Sequence, residues 1–234
     1  MLNKPLAIIP ARGGSKRIPG KNIKDFLGQP IIAYSIQTAL ASGLFSEVMV
    51  STDDEKIASV AQAYGASVPF FRSKKNANDY ATTVDVLLEV LNEYEKKHKA
   101  FEYACCIYPT APFTQAELLK KAFQLLIDKQ ADCVFPALPF SFPIQRAIKL
   151  DAAGKLSLFQ PEHLNTRSQD LEKAFHDSGQ FYWFNVENLQ KKQALWTDNT
   201  YPIQISEMEA QDIDNPEDWV IAEFKYKLFT NGKK

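Results

Sequence analysis

The chain has 234 residues, 45% hydrophobic and 24% charged, enough for one α/β domain or a domain with a small appendage. Its 27 Lys and Arg against 28 Asp and Glu leave a net charge of -1, which implies no general nucleic-acid-binding stripe. No apolar run approaches the ~18 residues of a membrane span, no signal peptide opens the sequence, and Cys105, Cys106 and Cys133 all sit in apolar runs, as expected of core residues in a cytoplasmic protein rather than a disulfide or metal set.

Leu6–Pro10 reads as a buried first strand. It runs into a loop holding Gly13, Gly14 and Gly20 and the cations Arg12, Lys16, Arg17, Lys21 and Lys24. A helix is expected over 30–42, with Ile32, Ser35, Ile36 and Ala39 on one face and Gly43 past its end. Val48–Ser51 is a second strand, and Thr52-Asp53-Asp54-Glu55 opens a helix closed by Gly65. Ala66–Phe71 is expected as a third strand, and 82–97 as a helix turning Val84, Leu87, Leu88, Leu91 and Tyr94 inward. A strand at 103–108, a helix at 117–129 and a strand at 131–136 follow. Such alternation predicts an α/β fold, a mostly parallel sheet with helices on both faces, in which ligands lie at the carboxyl ends of strands.

After Pro136 the alternation breaks. Residues 137–180 are rich in aromatics and proline, with a turn at Ala153-Gly154, and read as an excursion that covers the site, pairs with another subunit, or both. Strands return at 179–184 and 202–206. The last helix starts on Asn215 as cap and Pro216 as first residue and runs to about Phe229, with a Lys-rich end expected to fray.

Four stretches carry chemistry. The basic loop suits phosphates: glycines let backbone N–H groups approach oxygens, Arg12 can fork two of them, Lys21 is a point charge, and Ser15 and Lys16 add donors. It fits neither G-x-x-x-x-G-K-[ST], since Ser15 stands at the first glycine and Asn22 at the hydroxyl, nor G-x-G-x-x-G, since Gly13 and Gly14 are adjacent. In Asp212-Ile213-Asp214, alternate residues of an extended segment face one side, so two carboxylates either hold Mg²⁺ or leave Asp214 as a mere cap of the last helix. Residues 165–183 gather Arg167, Gln169, Asp170, His176, Asp177 and Gln180 among aromatics, which fits either a carboxylated, polyhydroxylated ligand or an interface hairpin. Arg72 and Thr83 follow a strand and open a helix, and they line a pocket only if the sheet brings them to the loop.

IIPARGGSKRIPGKNIK at 8–24, STDDEKIASVA at 51–61, FFRSKKNANDYATT at 70–83, YPTAPF at 108–113 and DIDNPEDW at 212–219 resemble, over nearly the whole chain, the cytidylyltransferases that activate nonulosonic acids, the CMP-sialic acid synthetase family. IQRA at 144–147, RSQDL at 167–171 and FHDSGQFYW at 175–183 are most similar to its pseudaminic acid branch. The resemblance implies a Rossmann-like nucleotide-binding body of residues 1–136 and 181–234 and a dimerisation and sugar-site excursion at 137–180. It implies a Mg²⁺-dependent reaction of CTP with a nonulosonic acid, giving a CMP-sugar for surface glycans or flagellin and pyrophosphate, in a cytoplasmic homodimer. Carried over by position, Ala11, Arg12, Gly13, Ser15, Lys16 and Lys21 match nucleotide contacts, Asn22, Arg72 and Thr83 cytidine-side positions, and Asp212 and Asp214 the metal pair. Tyr108, Arg167, Gln169, Asp170, His176, Gln180 and Tyr182 are the expected sugar set. Four positions depart from the pattern: Tyr108 stands where sialic acid enzymes often carry glutamine, Thr83 where serine is familiar, Arg17 for a glycine and Glu172 for a proline. Tyr108 favours a nonulosonate other than sialic acid. The alternatives are N-acetylneuraminate or legionaminate as substrate and, outside enzymes, a nucleotide-sensing dimer.

Overall fold

Five consecutive residues without a polar side chain, Leu6–Pro10, form β1, an interior strand of the main sheet in the computed structural model, which describes residues 4–231. A small hairpin follows, β2 (Asp25–Phe26) and β3 (Gln29–Pro30). Then come α1 (Ile31–Ser42), β4 (Glu47–Ser51), α2 (Glu55–Ala63), α3 (Thr83–Lys96), β5 (Tyr103–Ile107), α4 (Ala116–Lys129) and β6 (Cys133–Pro139). A hairpin of β7 (Ile148–Leu150) and β8 (Leu156–Leu158) projects from the body. The chain returns through β9 (Phe175–Asp177), β10 (Phe181–Asn185), α5 (Val186–Lys192), β11 (Thr200–Gln204) and α6 (Pro216–Asn231).

The main sheet has the order β11-β6-β10-β5-β1-β4, with β9 beside β6. β1 pairs in parallel with β4 and β5, and β11 with β6; β10 runs antiparallel between β5 and β6. Side chains alternate between two apolar layers, as the period of two requires. Ala7, Ile9, Val48, Val50, Cys105 and Ile107 pack under α1, α2 and α4. Leu6, Ile8, Met49, Ala104 and Cys106 pack under α3 and α5. The adjacent Cys105 and Cys106 thus face opposite layers, both buried and unpaired, as does Cys133. Among the described residues no helix is long and apolar enough to cross a membrane.

The expected third strand at 66–71 is reduced to one bridge, Ser67 against Met49. Pro69 has no N–H to offer a ladder, and the chain turns away after Ser67 has exchanged bonds with Val48 and Val50. On α3 the buried set is Val86, Leu87, Val90, Leu91 and Tyr94, with Val84 and Leu88 only half-buried. β6 outruns its expected end, because β9 pairs with it through Ala137 and Asp177, so the segment outside the sheet is 140–174 rather than 137–180. α5 was not anticipated. α6 reaches Asn231, and the Lys233-Lys234 end expected to fray lies outside the described residues.

Candidate active site

β1 stops at Pro10, and the Ala11 N–H still bonds the Ser51 carbonyl at 2.9 Å, so the loop leaves the sheet beside the end of β4. The Gly13 N–H donates to Asp53 Oδ1 at 3.0 Å. A Cβ on Gly13 would lie 2.7 Å from Asp54 Oδ2, so only glycine lets the loop lie against this turn. Asp54 in turn caps α2, accepting from the Lys56 and Ile57 N–H groups. Gly20, at φ 62°, turns the chain into the Lys21–Ile23 helical turn, a left-handed conformation that glycine adopts freely. Buried Asn22 spends its Nδ2 on the Arg12 carbonyl, 2.9 Å away, tying the two ends of the loop together.

These constraints place four loop cations around one cavity of about 420 Å³ at the carboxyl ends of β1 and β5. Each meets a carboxylate. Arg12 and Lys16 both reach Asp79 at 2.5 Å, while Arg17 and Lys21 reach Asp214 at 2.8 and 3.8 Å. Burial pulls Lys21 below its usual lysine range, and the nearby Asp214 and Asp212 only partly offset this. Asp212 is held above the usual aspartate range, first by burial and then by the charge of Asp214.

Arg72 forms the opposite wall. It is buried and clamped by Ser51, with Nε donating to Oγ at 3.0 Å and Nη2 to the carbonyl at 2.5 Å. Burial lowers its pKa against the pull of Asp53. Thr82 and Asp85 form a capping box at the start of α3, which presents Thr83 to the cavity. Thr83 Oγ1 lies 2.9 Å from the Tyr108 hydroxyl, and burial pushes Tyr108 up to about 12. That hydroxyl pair separates the cavity from a second one of about 520 Å³, whose walls include Tyr182, Leu195 and Trp196. Tyr182 donates to Asp177 and its ring lies 5.5 Å from that of Tyr108, while exposed Trp196 stacks on Phe135.

Of the residues expected at the site, Arg12, Ser15, Lys16, Lys21, Asn22, Arg72, Thr83, Tyr108 and Asp214 line the first cavity, and Tyr182 the second. Ala11 is fully buried and Gly13 packs against Asp54, and neither lines the first cavity. Asp212 lies beside the Gly179 turn. The remaining sugar set is not brought to either cavity within one chain. Arg167 pairs with Asp170 at 2.7 Å on the projecting segment, and Gln169 is exposed next to them. His176 is exposed on β9, its Nδ1 donating to the Asp177 carbonyl at 2.9 Å. Gln180 is buried and spent, donating to the Glu209 carbonyl at 2.5 Å and accepting from Thr114 at 3.3 Å. Asp79 was missed; its only sequence signal is that it is the sole acid in 72–84.

The sequence matches the profile of the Cytidylyltransferase family over residues 6–218. It is 41% identical to the pseudaminic acid cytidylyltransferase of Campylobacter jejuni serotype O:2, over 96% of this chain and 97% of that protein. It is 32% identical to the CMP-N,N'-diacetyllegionaminic acid synthase of Legionella pneumophila, over 93% of this chain and 94% of that protein. The structure of a CMP:2-keto-3-deoxy-manno-octonic acid synthetase complexed with CTP superimposes with a TM-score of 0.71, covering 98% of this chain and 100% of that one at 18% identity, and so shares the fold.

Proposed function

The chain belongs to the cytidylyltransferase family, and from that premise we propose that it transfers CMP from CTP to pseudaminic acid, releasing pyrophosphate. The observation that carries this reading is the first cavity. Four cations of one loop converge there with Arg72 and Thr83, the kind of charge a triphosphate needs and the kind of polar fork a nucleoside needs. The second cavity, reached across the Thr83–Tyr108 pair, supports an acceptor site beside the nucleotide. Its Tyr182, Leu195 and Trp196 suit the methyl groups of an acetamido sugar better than a run of hydroxyls.

In this reading the C2 hydroxyl of the sugar attacks the α-phosphorus of CTP in line and pyrophosphate leaves. Little covalent work falls to the protein, so positioning and charge neutralisation carry the rate. Arg12, Lys16 and Lys21 hold the β- and γ-phosphates and stabilise the leaving group. Arg72, fixed by Ser51, and Thr83 orient the cytidine. The donor set of Asp212 and Asp214 fits Mg²⁺: two hard carboxylates two residues apart, with the charge of Asp214 weighing on Asp212 and Ile213 buried between them. Bound there, Mg²⁺ would neutralise phosphate charge and acidify a nearby hydroxyl.

A homodimer through the projecting segment belongs to the same proposal. Phe142, Phe159 and Leu164 are 81%, 60% and 62% exposed there, a concentration of apolar surface that calls for a partner. A second copy docked on it is the route by which Arg167 and Gln169 would approach an acceptor.

The test is pyrophosphate release from CTP and Mg²⁺ with pseudaminic, N,N'-diacetyllegionaminic and N-acetylneuraminic acids. Release with pseudaminic acid, at a kcat/KM at least tenfold above the others, is expected. Release with another sugar alone would move the substrate assignment, and none with any sugar would remove the activity.

A further inference from the structure

The segment from Ser73 to Ala81 is pinned at both ends and crosses the mouth of the phosphate cavity between them. At its start the Ser73 N–H and hydroxyl and Asn76 Nδ2 all bond the Glu89 carboxylate on α3. At its end Asn78 Oδ1 accepts from the Tyr80 and Ala81 N–H groups at 2.7 and 3.1 Å, and Thr82 is locked into the capping box with Asp85. The residue between, Asp79, reaches over to the loop and divides its two oxygens between Arg12 and Lys16, each at 2.5 Å. Its neighbour Tyr80 is 92% exposed, so no packing of that ring fixes the crossing point. The same cavity is lined by Arg12, Lys16 and Asp79 together.

We propose that Asp79 is an internal competitor for the phosphate site, a positioning residue that holds Arg12 and Lys16 in place when no nucleotide is bound and sets how much negative charge a ligand must bring to displace it. The inference rests on the reading of this cavity as a polyphosphate site. A single carboxylate shared by two cations mimics one ionised phosphate. A ligand with one phosphate gains little by replacing it, whereas a triphosphate offers several charges to the same two cations and to Lys21. After transfer, return of Asp79 would favour departure of pyrophosphate. The pairing is also visible in Asp79 itself, which the hydrogen bonds of Lys16 and Arg12 hold below the usual aspartate range. All three side chains are partly or largely exposed, so the competition is screened by salt.

Calorimetric binding of inorganic pyrophosphate, CMP and CTP to the parent, Asp79→Asn and Asp79→Glu, each at low and high salt, tests this. Asp79→Asn is expected to bind pyrophosphate and CMP about fivefold to tenfold tighter at low salt, as two lost ion pairs of modest strength imply. CTP should gain less, the gain should shrink at high salt, and Asp79→Glu, which keeps the charge, should stay near the parent. In turnover Asp79→Asn should show stronger inhibition by pyrophosphate. Equal affinities in parent and Asp79→Asn, or weaker binding by the variant, would overturn the proposal while leaving the phosphate site intact. Absence of binding by any of the three proteins would overturn both.

Discussion

At the scale of single residues, Asp212 and Asp214 sit two apart with Ile213 buried between them, close enough for the charge of Asp214 to act on Asp212. Asp214 is paired with Arg17 and Lys21, whereas Asp212 is partly buried and its charge is offset only in part, by Lys21. Such a charge costs stability unless something uses it. Asp212→Asn preserves the shape and removes the charge. It is expected to lower pyrophosphate release about 100-fold or more across all Mg²⁺ concentrations, the loss typical of one electrostatic stabiliser, with an unchanged far-ultraviolet circular dichroism spectrum. Near-normal turnover would take Asp212 out of the proposed metal pair. The spacing of these two carboxylates around a buried Ile213 was legible in the sequence because the pattern is local. Gln180 was not, because its partners Thr114 and Glu209 come from segments remote in the chain, and a buried, satisfied amide has the same letter as one facing a ligand.

At the scale of elements, Glu47 joins three pieces of the fold. From the start of β4 it accepts bonds from Ser67, from Tyr94 on α3 and from Lys99 beyond it, at 2.6, 2.7 and 3.3 Å. Burial alone would raise its pKa, but those hydrogen bonds win and hold it below the ordinary glutamate range. A carboxylate lowered in the folded state stabilises above its unfolded pKa, and that stability is lost as pH falls through the folded value. Glu47→Gln is therefore expected to cost about 1–2 kcal/mol at pH 7, and the gap to the parent should close below about pH 4, measured by urea unfolding at several pH values. A gap that stays constant with pH would mean that packing rather than charge is responsible. The elements themselves divide in the same way as the residues. α1 with Gly43, α3 with its apolar period and α6 with Asn215 were readable because their caps and periods are local. The strand expected at 66–71 failed because apolar composition outweighed Pro69. β6 ran on to Pro139 because its partner there, β9, lies some forty residues away in sequence. α5, at seven residues, is too short for a helical period to register.

At the scale of the whole molecule, the proposed reading gives the two cavities to nucleotide and acceptor, but the projecting segment leaves Phe142 and Leu164 largely exposed to solvent among the described residues. A stable interface buries about 1,200–2,000 Å² and centres on a few aromatic anchors. Phe142, the most exposed of these side chains, takes little part in the core of its own subunit, so changing it tests assembly apart from folding. Phe142→Asp should convert a dimer at micromolar concentration into a monomer in sedimentation equilibrium while leaving the melting temperature of the body within a few degrees. If the second copy supplies Arg167 and Gln169 to the acceptor, the monomeric variant should still bind CTP with near-parental affinity but show a KM for the sugar raised about tenfold or more, the cost of losing a charged contact to a carboxylate. The split between the two ligands is what decides, because a general loss of structure would weaken both. A parent that sediments as a monomer would remove the dimer. A monomeric variant with unchanged sugar affinity would keep the dimer but confine each site to one chain, and Arg167 and Gln169 would then have no part in holding the sugar.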